Sequence, residues 1–201
     1  MKKLFTLLAI LIAFTAVSAS AQNPSPFSLY AGGAISMPQS PDGFKDGFKT
    51  GYHGSIGVGY KVMPNLQLVG KLEYHTFKVN FDNTPGMEEY SGGTNKMWMY
   101  GVDGRYQFSL PAAPVSPYVL GGLGFANIKQ SEFEGPASLG LSVLNEMISE
   151  SVTEMYWNIG AGVQLASGPA FSVFAQARYV SIATEGESAA FIPITLGLKF
   201  F

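Results

Sequence analysis

The chain is short of four things, and each shortage removes a class of protein. It has no cysteine in 201 residues, so no disulfide framework holds it, and stability must come from packing or from a closed hydrogen-bonded sheet. Charged residues make up 13%, about half the ~25% typical of soluble domains. Basic groups number 12 against 14 acidic ones, which leaves no basic stripe for nucleic acid. Beyond the first residues no clean run of ~20 apolar residues occurs, so no spanning helix is encoded. The longest charge-free stretch, Tyr106 to Ile128, is interrupted by Pro111, Pro114 and Pro117, which break helices.

The opening residues, MKKLFTLLAILIAFTAVSASAQ, place two lysines before an apolar stretch from Leu4 to Val17, followed by Ala19 and Ala21 at A-x-A spacing. This pattern predicts a secretory signal peptide over residues 1–21, cleaved before Gln22. An N-terminal membrane anchor is the alternative, but the apolar core is shorter than a bilayer-spanning helix and a cleavage signature follows it. No cysteine follows the stretch, which excludes a lipid-modified lipoprotein. Loss of Lys2 and Lys3 leaves 10 basic and 14 acidic residues, a net charge of −4 on a single domain spanning 22–201.

What is present is alternation. Eight segments of about ten residues show the period of two that marks strands, at residues 27–36, 51–62, 66–79, 96–109, 117–129, 153–166, 171–183 and 191–201. Their connections alternate between long (37–50, 80–95, 130–152) and short (Met63-Pro64-Asn65, "PAAPVS", "SGP"), with a moderate one at "EGESAA". In an antiparallel meander, that asymmetry trims one end and elaborates the other.

Each strand sorts into two faces. Trp98, Tyr100, Val102, Tyr106 and Phe108 oppose Met99, Gly101, Asp103, Arg105 and Gln107; Leu66, Leu68, Leu72 and Tyr74 oppose Gln67, Lys71, Glu73 and His75. Phe171, Val173, Ala175 and Tyr179 likewise oppose Ser172, Phe174, Gln176 and Arg178. One face is apolar with aromatics towards its ends, and the other is glycine-rich and polar. A soluble β-barrel or a secreted sandwich shows the same period with the apolar face inward. Three features favour apolar-out: small residues and isolated charges on the polar face, aromatics at both strand ends, and lengths matching the ~9–11 tilted residues that cross a bilayer. The expected fold is all-β, an eight-stranded antiparallel up-and-down transmembrane β-barrel. Closure would leave no strand edge unpaired in lipid.

With the signal peptide, the segments "PYVLGGLGF" (117–125), "FAQARYV" (174–180) and "ITLGLKFF" (194–201) resemble the outer-membrane β-barrel domain family, the small eight-stranded barrels of the OmpA/OmpX type. The resemblance covers essentially all of 22–201. It implies an integral protein of the bacterial outer membrane, a barrel alone, with a structural or surface-binding, adhesion-like role carried by extracellular loops. Its implied partners are outer-membrane lipid and lipopolysaccharide, and during biogenesis the barrel assembly machinery and periplasmic chaperones, with no nucleic acid, cofactor or metal. It also marks Leu196, Gly197, Leu198, Phe200 and Phe201 as the assembly signal. Phe200 shares the lipid-facing parity of Leu198 and Leu196, whereas Phe201 does not.

The glycine sets "GSIGVGY" and "GGLGF" lack the following helix that a phosphate-binding loop needs; glycines lining a crowded interior explain them. The polar face carries Lys61, Lys71, Glu73, Asp103, Arg105, Gln176 and Arg178, expected to form an interior network that plugs the bore. Eight strands leave room only for side chains, and buried charges must pair. A small passive pore is the alternative. His53 and Ser55, two apart on one strand, resemble the His-x-Ser of some outer-membrane lipid A deacylases, yet their parity points inward, so no catalytic residue is assigned. The connections are acidic, with Asp42, Asp46, Asp82, Glu88, Glu89, Glu132, Glu134, Glu146, Glu150, Glu185 and Glu187. Within 130–152, Leu141, Leu144 and Ile148 fall at helical spacing in an amphipathic segment.

Overall fold

A computed structural model describes residues 25–81, 91–108, 114–134, 151–166, 170–184 and 186–201. The expected signal peptide and the amphipathic segment at 139–149 lie outside the described residues. The elements are β1 (Phe27–Ser40), α1 (Asp42–Gly47), β2 (Gly51–Met63), β3 (Leu66–Phe77), β4 (Ser91–Gly92), β5 (Asn95–Gln107), β6 (Val115–Gln130), β7 (Phe133–Glu134), β8 (Val152–Ala166), β9 (Phe171–Ile182) and β10 (Ala189–Phe200).

Eight of the strands close into a barrel in the order β1-β10-β9-β8-β6-β5-β3-β2, every pair antiparallel. Closure is made by the first and last strands, which pair from Leu29 opposite Phe200 to Ser40 opposite Ala190. Backbone groups that would face hydrocarbon unpaired are thereby satisfied around the ring.

The alternation resolves apolar-out. Ile56, Leu123, Ile159 and Leu196 are each about 60% exposed, while the opposite parity is buried or half-buried along the middle of each strand. Aromatic rings border this apolar band at both ends. Tyr74 packs on Trp98 and Trp157 on Tyr179 towards the long-connection end, at 4.8 and 5.7 Å between ring centroids. Phe27 packs on Tyr60 and Tyr106 on Phe108 at the short-turn end, at 5.1 and 5.2 Å. Two aromatic girdles flanking an apolar band are the arrangement of a transmembrane barrel, and the short-turn end is the periplasmic one.

One strand end differs from the sequence reading by more than two residues. β1 runs to Ser40 rather than residue 36, and α1 follows, so the expected long connection at 37–50 is largely structured. The extension survives Pro38 because β2 pairs β1 only as far as Ser36 opposite Gly51; beyond that β1 is an edge bonded to β10 alone, where a missing N–H is tolerated. Above the rim, β4 and β7 add a two-stranded ladder, Ser91 opposite Glu134 and Gly92 opposite Phe133, linking the second and third long connections.

A charge placed on the outer face at mid-height should be expelled by lipid. Leu123→Arg, at the centre of β6 opposite Val102 and Trp157, is expected to destabilise the barrel by about 2–4 kcal/mol, read as a lowered urea midpoint in lipid vesicles. An unchanged midpoint would place this face away from hydrocarbon.

Candidate functional site: the filled barrel interior

The interior is built in layers, because residues two apart on tilted strands stack along the bore. At mid-height lies an ion network. Arg178 on β9 donates from Nη1 and Nη2 to both carboxylate oxygens of Glu73 on β3, at 3.1 and 2.5 Å. Lys71 Nζ stands 2.8 Å from Asp103 Oδ2 and 3.5 Å from Glu73 Oε2. Arg178 also approaches Asp103 at 4.0 Å, and Asn158 Nδ2 donates to Asp103 Oδ1 at 2.9 Å. β3 and β9 are four strands apart in either direction around the eight, so the Arg178–Glu73 pair spans the full width of the bore. The set holds two cations and two anions, all nearly inaccessible, and the bidentate fork fixes its geometry. Such a network is costly to desolvate and costly to break.

Towards the outer end comes a histidine layer. Ser36 Oγ lies 3.1 Å from His53 Nδ1 and 2.9 Å from His75 Nδ1, the two rings stack at 4.9 Å, and His53 Nε2 is 3.0 Å from Thr195 Oγ1. Ser55 takes no part: its hydroxyl donates to the Gly32 carbonyl at 3.3 Å. The His-x-Ser pair of the sequence is therefore not a hydrogen-bonded pair.

Beside and beyond the histidines the interior turns apolar. Phe77, Met97, Met99, Ala126, Tyr156, Val180, Ile182 and Phe191 form a buried cluster against which Phe44 and Phe48 pack from the first connection. Phe44 on α1 meets the Phe77 ring edge-on at 5.3 Å. This corrects the expectation of an inward face that is polar throughout. The signal was present in the parity: Phe77 follows His75, and Met97 and Met99 precede Gly101 and Asp103, all on the inward face.

Below the ion network, Arg105 stands in a box of rings, 3.4 Å from the centroid of Tyr118, 5.4 Å from Tyr30 and 5.7 Å from Phe174. Its Nη2 donates to Gln164 Oε1 at 3.1 Å. Tyr118 donates to Gln176 Oε1 at 3.1 Å, and Tyr30 to Gln67 Oε1 at 2.5 Å. Glycine makes this possible: a Cβ on Gly162 would stand 2.5 Å from the Tyr118 ring, so no other residue fits beside it.

Of the seven interior residues expected to act together, Lys71, Glu73, Asp103 and Arg178 meet. Arg105 and Gln176 belong to the layer below and pair with neither acid among the described residues. Lys61 is exposed at the periplasmic mouth and is not part of the network, because β2 reaches the rim there and turns at Pro64-Asn65. Sequence reasoning missed Asn158 and the rings of Tyr30 and Tyr118. At the end of the chain, Leu196 and Leu198 face outward, and Gly197 lies inward against the Phe174 ring. Phe200 ends β10 opposite Phe171. Phe201 lies instead on the inward parity at the mouth, its ring 4.9 Å from Lys199 Nζ.

Removing one member of the network should be far worse than removing a pair. Glu73→Gln leaves Arg178 and Lys71 undercompensated and is expected to cost about 3–5 kcal/mol in urea unfolding. Adding Arg178→Met should recover part of that loss, a coupling read from the double-mutant cycle; strictly additive losses would mean that the two side chains act separately.

Comparison with known proteins agrees with this architecture. The family model described as outer membrane protein beta-barrel domain matches residues 7–200. The chain is 27% identical over 140 residues to outer membrane protein PagN of Salmonella typhimurium (strain LT2), a match covering 65% of this chain and 57% of PagN, little more than half of that relative's length. Among solved structures, Neisserial surface protein A superposes with a TM-score of 0.62 at 19% identity, covering 88% of this chain and 97% of that one. Ail, the attachment invasion locus protein of Yersinia pestis, solved in complex with the heparin analogue sucrose octasulfate, gives 0.52 at 20% identity, covering 87% and 96%. These two structures share the fold. The chain belongs to the outer membrane protein β-barrel domain family, and it is an integral β-barrel of the cell outer membrane.

Proposed function

We propose that this protein is a non-enzymatic, closed barrel whose role is structural or surface-binding, exerted by its outer connections beside lipopolysaccharide. The observation that carries the reading is the filled bore: a bidentate ion pair across its full width, an apolar cluster above it and a ring-boxed arginine below. With the bore so occupied, chemistry with the surroundings falls to the membrane face and the rims. A catalytic reading draws no support from His53, which is turned to Ser36 and Thr195 rather than to Ser55.

The outer connections are elaborated and acidic, and α1 and the β4–β7 ladder brace them on the rim. Ail, whose fold this chain shares, is an attachment invasion locus protein solved with a heparin analogue bound. The acidic balance of this chain's connections disfavours a polyanion of that kind, so a basic partner, or lipopolysaccharide phosphates bridged by divalent cations, suits them better. Assembly by the barrel machinery and periplasmic chaperones follows from the family's terminal strand signal at Leu196 to Phe201.

The test trims the connections and leaves the barrel. Replacing 82–90 and 135–150 by short Gly-Ser turns should preserve heat-modifiable gel mobility while lowering adhesion of expressing bacteria to epithelial monolayers to the empty-vector level. Full adhesion by the trimmed protein, or lipid A deacylation lost on His53→Ala, would overturn the reading.

A further inference from the structure

The periplasmic mouth contains an electrostatic imbalance that the ion network does not explain. A cavity of ≈ 280 Å³ opens there, lined among others by Lys61, Arg105, Lys199, Gln67, Gln164 and Phe201. Among the described residues its lining includes three cationic side chains and no Asp or Glu. Arg105 is only 4% exposed and Lys199 5%, so two of the three positive groups are withdrawn from water. Glu73 and Asp103, one layer up, are already engaged by Arg178 and Lys71.

Two of the amide acceptors in the lining are engaged as well. Gln67 Oε1 accepts from Tyr30 and Gln164 Oε1 from Arg105, while their amides donate to Ser28 and Ser172 at 3.2 and 3.3 Å. Arg105 Nε is buried without a hydrogen-bond partner. Among the described residues Lys199 meets ring faces, 5.8 Å from Tyr30 and 4.9 Å from Phe201. Cation–π contact offsets part of the desolvation of a cation, yet it supplies no counter-charge.

We propose that this mouth is a phosphate-binding site, with the Arg105 guanidinium at its floor and Lys199 and Lys61 at its wall and rim. A tetrahedral oxyanion suits the site because the guanidinium supplies a fixed, planar positive charge in the lining and the two ammonium groups supply charge without fixed geometry. The cavity is several times the ~30 Å³ of a water molecule, ample for a phosphate group and residual waters. Two sources present that group at the periplasmic face: free phosphate, and the headgroups of periplasmic-leaflet phospholipids, whose chains would lie against the exposed rings of Phe108 and Phe201.

The site is independent of whatever the outer connections bind. Its test uses the full barrel folded in dodecylmaltoside, a detergent without phosphate, titrated calorimetrically with inorganic phosphate and separately with a short-chain phosphatidylglycerol below its micelle concentration. Saturable one-to-one binding by either probe is expected, the first pointing to the free ion and the second alone to a headgroup. Lys199→Gln and Arg105→Gln should each weaken it roughly tenfold or more, and Lys78→Gln at the opposite end should not. Should Arg105→Gln fail to fold, Lys61→Gln at the exposed rim still reports. Absence of saturable binding by both probes, or binding indifferent to Lys199→Gln and Lys61→Gln, would overturn the site.

Discussion

Hydrocarbon accepts no hydrogen bonds, and that single constraint orders everything else in this molecule. A sheet immersed in lipid must pair its first strand with its last, which β1 and β10 do along eleven registered positions. Eight strands then set the bore, and the bore sets what can lie inside it. Side chains pointing inward must fill the space and satisfy one another there, since neither bulk water nor a second sheet is available to do so.

The filling is graded along the axis. Ions pair across the middle, hydroxyls and imidazoles form the next layer, and large apolar groups close the outer end, with α1 adding Phe44 to the last of these. On the periplasmic side the grading runs the other way, to a ring-boxed arginine and an open, positively lined mouth. The two ends are therefore chemically different, and the periplasmic one opens on a cavity of ≈ 280 Å³. A barrel so filled leaves its interactions to its rims and its lipid face, which is why the proposed role rests on the outer connections rather than on the lumen.

Much of this was legible from alternation. The inward and outward rows of β2, β3, β5, β8 and β9 follow directly from the period of two, because a pleated strand admits no other sorting. The parity of Phe200 and Phe201 was readable too, but not that Phe201 would cover Lys199 at the mouth, since that depends on where β10 ends relative to the rim. Partnership was harder. Arg178 and Glu73 are 105 residues apart and meet only because four strands separate them around the ring, a distance that appears once strand number and stagger are known. The apolar outer plug was obscured by attention to glycines and charges on the inward face, although Phe77, Met97 and Met99 carry the same parity. Lys61 misled for the opposite reason: its parity is inward, but at the rim inward residues meet water.

The most direct test of the filled bore is electrical. Single-channel recording of the purified barrel in planar bilayers should show a silent membrane for the unaltered protein across the usual voltage range. Sustained, discrete conductance steps from the unaltered barrel would contradict the account, because ions would then be passing through a space that the Arg178–Glu73 pair and the Phe77 cluster are held to occupy.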